Sequence, residues 1–179
     1  MLSDPEIQQV AQLLCSGTAF QGMPERIAKR VAALMAMRSF KLGDKLTQEG
    51  SPNDGHLMLV VSGEAEISIS HHKDGGNLVH RLAKPGHVIG DVGFIDGQAH
   101  SATCIAVSPT QAAVLARDDF IQMFEADALS AAQLMAGLLR LLALRIRHAN
   151  KYMLAQDQQI LRLQTELLSL QKASPLRKL

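Results

Sequence analysis

The residues best placed to do chemistry lie between Gly90 and Thr103, in the stretch GDVGFIDGQAHSAT. Three glycines, two aspartates, a histidine and two hydroxyl side chains stand between apolar flanks. Glycine lets a backbone come close to an oxyanion, and the first amides of a short helix supply donors backed by a favourable dipole. A carboxylate accepts from a sugar hydroxyl, and a histidine can donate toward a phosphate. The stretch therefore points to the holding of an anionic ligand.

No other cluster competes with it. His71 and His72, followed by Lys73, resemble a metal pair only in isolation; beside Asp74, Gly75 and Gly76 they are expected to form a solvated hairpin tip. Glu64 and Glu66 stand two apart on an expected strand, with no second acid or nucleophile pattern beside them. Neither a Ser/His/Asp nor a Cys/His arrangement is present, so no enzymatic activity, cofactor or metal is expected. Cys15 and Cys104 are the two cysteines, far apart and without zinc or iron–sulfur spacing, and are expected to be reduced, buried thiols.

The formal net charge of +1 gives no basic field for nucleic acid or an anionic membrane. The opening MLSDPEIQQV lacks the basic start and apolar centre of a secretory signal. The most apolar run, LMAGLLRLLALRIRH, is interrupted by arginines, so no bilayer crossing is expected. These features lead to the expectation of a cytoplasmic protein without a membrane partner.

The elements that must position the Gly90–Thr103 stretch fall into three regimes. From Asp4 to Met37, apolar residues recur at helical spacing (Ile7, Val10, Leu13, Leu14, then Ile27, Val31, Leu34, Met35), which predicts two short amphipathic helices. Pro24 suits the first turn of the second. From Arg38 to Arg117, short apolar runs are divided by glycine and proline turns, the pattern of a β-sandwich, barrel or roll. Within it AEISIS alternates, which predicts one wet face, and KDGG predicts a hairpin turn.

From about Asp118 to Ala173 the chain reads as helix. Leu139, Leu142, Ile146, Ala149, Met153, Gln156, Ile160, Leu163, Leu167 and Leu170 advance by alternating steps of three and four, a heptad seam of more than four repeats. Leu139, Ile146, Met153, Ile160 and Leu167 take position a, and Gln156 is a polar intrusion at d. Beyond Tyr152 such a helix extends roughly 30 Å at 1.5 Å per residue, and its stripe needs a partner. A parallel homodimer through residues 131–173 is expected, with Pro175 as the breaker. The expected division is 1–130 for helices and roll, 131–173 for the dimerisation helix and coiled coil, and 174–179 for a tail.

This order of elements, with its series of turns, resembles the cyclic-nucleotide-binding domain of the catabolite activator protein family. The turns that carry the resemblance are KLGD at Lys41–Asp44, the pair Glu49-Gly50, VSGE at Val61–Glu64 and Pro85-Gly86. The likeness runs from about Phe20 to Met153. It implies an α+β fold: short N-terminal helices, an antiparallel eight-stranded β-roll of jelly-roll type, and a long C-terminal dimerisation helix.

The resemblance also assigns roles. The family's phosphate-binding cassette is a glycine–glutamate pair, a short helix and an Arg-Ser-Ala close; here Gly90 is the glycine and Asp91 takes the place of the glutamate. Val92, Gly93 and Phe94 form the helix, His100 takes the place of the arginine, and Ser101 and Ala102 complete the motif. Asp91 is one methylene short of the family's acid, and His100 lacks arginine's planar fork and permanent charge. In relatives the base reaches the long helix, which makes Asn150 the candidate base contact, with Arg147, His148 and Lys151 nearby; an ordinary solvated helix position is the other reading.

What the resemblance implies is a dimeric, non-enzymatic sensor of a cyclic nucleotide, cyclic AMP first, acting on a partner protein of unknown identity. The residues at 91 and 100 leave two alternatives: a scaffold without ligand, or a pocket retuned to a cyclic dinucleotide or another small anion. Regulators of the family continue from the long helix into a helix-turn-helix domain; only a short tail follows Leu170 here, so DNA is not expected as a partner.

Overall fold

The computed structural model describes residues 2–17, 19–70 and 77–173. Two compact units divide the chain, Met1–Leu141 and Leu142–Leu179.

The first unit opens with α1 (Asp4–Ser16) and α2 (Glu25–Ala33). Ser3 starts α1 by donating its amide to the Glu6 carboxylate at 2.7 Å, half of a capping box that replaces bonds the first turn cannot make internally. Pro24 sits one residue earlier than expected, as the cap of α2 and not inside its first turn.

Eight strands follow: β1 (Ala36–Phe40), β2 (Lys45–Thr47), β3 (His56–Ser62), β4 (Ala65–Ser70), β5 (Asn77–Ala83), β6 (Val88–Ile89), β7 (Thr103–Ala106) and β8 (Thr110–Ala116). They make two antiparallel four-stranded sheets, ordered β1-β8-β3-β6 and β2-β7-β4-β5. The fold is α+β with the expected β-roll. Gly43, Gly50, Gly63 and Gly86, one in each of the four quoted turns, have φ between 74° and 87°. The KDGG turn and the His71-His72-Lys73 tip lie outside the described residues, although β4 and β5 pair antiparallel on either side, Ser70 opposite Asn77.

The β3 run HLMLVVS is apolar without alternation because both of its faces are covered. Leu57, Leu59 and Val61 join Val10, Leu14, Ile27 and Val31 in a core between helices and sheet. Met58 and Val60 point the other way, into the roll with Phe40, Leu46, Cys104 and Val114. The expectation for AEISIS is corrected: Ser68 is buried and Ile69 exposed, so the alternation breaks. The break coincides with a register shift between Ile67 and Ser68 in the β4–β5 pairing, and a bulge re-aims side chains in this way. Cys104 is buried and its thiol is pushed up to about 12 by desolvation, whereas Cys15 is only half-buried, which amends the expectation of two buried thiols.

A short helix, α3 (Asp91–Asp96), follows β6; α4 (Arg117–Ala126) and α5 (Ala128–Ala173) follow β8. The helical stretch read as continuous from Asp118 is broken at Asp127, whose carboxylate accepts from the Ser130 hydroxyl at 2.6 Å and from Arg30 at 2.5 Å. Within the first unit, α5 buries Ala131, Leu134 and Leu138, which carries this unit to Leu141, past the break expected at 130. Gly137 admits the Phe20 ring: a Cβ there would lie 2.1 Å from a ring carbon.

One 18-residue window within Ala128–Gln171 reaches a mean hydropathy of 1.5, long and apolar enough by composition to cross a membrane. This corrects the expectation that arginines exclude such a run; part of its apolarity serves the core, through Ala131, Leu134 and Leu138.

In the second unit, the described part of α5 is exposed from Ile146 onward. Ile146, Met153, Ile160, Leu163, Leu167 and Leu170 of the heptad seam are all uncovered in the single chain, as are Leu154, Leu161 and Leu168. Pro175 lies outside the described residues.

Candidate functional site

The site is built where β6 hands over to α3. β6 lies beside β3, Ile89 opposite Met58, so the chain leaves the sheet next to His56. Gly90 turns it with φ +81°, and a Cβ on Gly90 would lie 2.7 Å from the His56 carbonyl oxygen. Only glycine meets both demands, the left-handed backbone and the close approach. Phe94 then donates to the Gly90 carbonyl at 2.9 Å, closing the first turn of α3. Asp91 is 2% exposed.

His100 closes the loop after α3. Its amide donates to the Ser51 carbonyl at 3.1 Å, and its carbonyl accepts from the Gly50 amide at 2.9 Å. The residue is 8% exposed, with Nε2 3.7 Å from Oδ1 of Asp54. The other oxygen of Asp54 lies 2.7 Å from Nδ1 of His56, a contact off the axis of a ring N–H and so one of charge more than of aligned hydrogen bonding. Burial pushes the Asp54 carboxyl up, but the side chain and amide of His56, with the charge of His100, outweigh it and hold Asp54 below the ordinary carboxylate value. Asp54 therefore stays ionised at neutral pH.

Asn53, next to Asp54, donates from its side chain to the Gly93 carbonyl. Arg117, the first residue of α4, donates from Nη2 to the same carbonyl at 3.0 Å and to the Phe94 carbonyl. Its amide also donates to the Gly55 carbonyl at 2.8 Å. The C-terminal end of α3 is thereby tied to α4 and to the loop before β3. A cation at that end also complements the helix dipole.

Residues 53–56 thus approach three positions of the expected cassette: Gly90 through the His56 carbonyl, Gly93 through Asn53, and His100 through Asp54. Val92 is half-buried on α3, Ser101 is exposed, and Ala102 is half-buried with its carbonyl accepting from Thr47 Oγ1 at 3.0 Å. Asn150 is exposed on α5 in the second unit.

Sequence reasoning missed Asn53, Asp54, His56 and Arg117. EGSPNDG was read only as punctuation between strands, and Arg117 only as the end of the roll. The signal on hand was the pairing of Asn and Asp within a loop, residues whose side chains readily bond nearby backbone. Chemically, the arrangement offers backbone donors at the start of α3, an imidazole, and a carboxylate already seated at that imidazole.

A family model described as cyclic nucleotide-binding domain matches residues 37–127. Among solved structures, a cyclic nucleotide-binding domain from Methylobacillus flagellatus KT is similar at 25% identity and a TM-score of 0.76, covering 86% of this chain and 85% of that one. The catabolite activator protein of Thermus thermophilus is similar at 26% identity and a TM-score of 0.64, over 84% of this chain but only 62% of its own length. The regulatory domain of Toxoplasma gondii PKA, solved with cAMP, shares the fold at 20% identity and a TM-score of 0.60, over 74% of this chain and 49% of that one. Comparison with curated protein sequences gives no match.

Proposed function

This chain belongs to the cyclic nucleotide-binding domain family, and we propose that it is a dimeric cytoplasmic sensor of a cyclic nucleotide, cyclic AMP first. Occupancy changes the separation or pitch of the paired long helices, and a partner protein reads that change. The observation that supports this reading is the placement of Gly90, Gly93 and His100 around one short loop, each against residues 53–56. The phosphate would take the first amides of α3 and the His100 imidazole, and Asp91 would be the acceptor for the ribose. Asn150 would meet the base. No catalytic step is proposed.

Isothermal titration with cyclic AMP and cyclic GMP tests the reading; folded protein that gives no heat at millimolar ligand overturns it. His100→Arg restores a planar, permanently charged fork. Since a hydrogen bond to a charged group is worth about 1.5–3 kcal/mol, that variant should bind roughly 10- to 100-fold more tightly.

The exposed heptad seam of α5 supports the homodimer. Sedimentation of the wild type as a dimer and of Ile160→Asp with Leu163→Asp as a monomer is the expected result. A monomeric wild type sinks the dimer.

A second reading is favoured by the contact of Asp54 with His100: a scaffold in which the pocket no longer takes a nucleotide. The same titration separates the two readings.

A further inference from the structure

The anion-facing nitrogen of His100 already has an anion near it. Nε2 lies 3.7 Å from Oδ1 of Asp54 and His100 is buried, so a phosphate that takes this nitrogen comes close to the carboxylate. Two anions that share one imidazole repel each other, the more strongly where the site is shielded from water. The Asp54 side chain is 46% exposed, so the carboxylate has space to withdraw by side-chain rotation. His56, 2.7 Å from the second oxygen, already partners the carboxylate and can keep it when the first oxygen leaves His100.

We infer that Asp54 is an intramolecular competitor for the ligand's phosphate, seated at His100 in the free protein and displaced toward His56 when an anion binds. The inference rests on the proposed role of His100 in holding a phosphate. It makes Asp54 an affinity-setting residue: the site is self-occupied, and a ligand has to bring enough charge and backbone bonding to replace an internal carboxylate.

The test is calorimetric titration of cyclic AMP into wild type, Asp54→Asn, Asp54→Ser, His100→Gln and the double variant Asp54→Asn/His100→Gln. Competition predicts that both Asp54 variants bind about 5- to 30-fold more tightly, and that the gain disappears in the His100→Gln background. Unchanged or weaker binding in both Asp54 variants overturns the inference, because a residue that merely positions His100 would lose affinity when removed. A gain of equal size without His100 overturns it too.

Thermal stabilisation by inorganic phosphate is measured on the same proteins. If cyclic AMP binds none of them, the nucleotide reading fails; Asp54→Asn must then still gain stabilisation by phosphate that the wild type lacks. Absence of that gain overturns the inference on its own. The two Asp54 variants differ in side-chain size, so misfolding of one leaves the other to decide.

Discussion

Arg117 donates from Nη2 to the carbonyl of Gly93 at 3.0 Å and so fixes the far end of the cassette helix to the first residue of α4. Its second acceptor is the Phe94 carbonyl, and its guanidinium lies 6.0 Å from the Phe94 ring centre. Replacement by alanine removes the charged donor from both carbonyls, although that of Gly93 keeps the Asn53 side chain. Arg117→Ala should lose about 1.5–3 kcal/mol in urea unfolding and weaken cyclic AMP binding as well. Arg117→Lys should recover only part, since a point charge cannot serve two carbonyls as a planar fork does. Full stability in Arg117→Ala would mean that α3 does not depend on this tie.

Gly90 is the second test. A Cβ there would meet the His56 carbonyl at 2.7 Å while the backbone stays at φ +81°. The left-handed conformation alone costs about 1–2 kcal/mol for an L-residue with a side chain. Gly90→Ala should therefore melt lower and bind nucleotide more weakly. A variant of unchanged stability and affinity would show that the turn can open without loss.

Gly137 tests how α5 joins the first unit. The Phe20 ring, 1% exposed, stands where a Cβ would be, 2.1 Å away, and has no open space to swing into. In an ordinary helix interior alanine is the better residue by about 1 kcal/mol. Here overpacking by about 1–3 kcal/mol opposes that gain, so Gly137→Ala should be neutral to destabilised and Gly137→Val clearly destabilised. Stabilisation by valine would mean that the helix and Phe20 are not in this close contact.

The acid limb of the stability curve tests the carboxylates. The hydroxyl of Ser130 and the guanidinium of Arg30 hold the Asp127 carboxyl below its ordinary value, and the surroundings of Asp54 do the same there. With the folded value below the unfolded one, near 3.9, the unfolded chain takes up protons first as pH falls. The contribution is complete above the unfolded value and is lost as pH falls through the folded one. Urea unfolding between about pH 5 and pH 3 should show stability falling with acid, with a shallower slope for Asp127→Asn. An identical slope in that variant would remove Asp127 from the account.

The sequence alone determined the three regimes and most of the strands, because each rests on local rules; the first run, SFKLGDKL, reads as one segment and is divided in the fold into β1 and β2. Glycines at Gly43, Gly63, Gly86 and Gly90 mark positions where the chain must turn left-handed, and a strand between two such turns is legible without knowing its neighbours. The heptads of α5 pointed to an unmet partner by spacing alone.

What the tertiary structure decided lies between residues distant in sequence. The register shift beside Ser68 undid the alternation of β4, since facing is set by the strand's neighbours as well as by its own period. The break at Asp127 came from Arg30, 97 positions away, and from Ser130 close by. Above all, the histidine at the arginine's place was visible in the sequence, but its neighbour was not. Asp54 reaches His100 only because the Gly50–Ser51 turn bonds the His100 backbone, while the loop before β3 packs under Gly90. A single chain pattern records residue types and their spacing along one line, whereas the charge a side chain meets depends on which loops the folded sheets bring together.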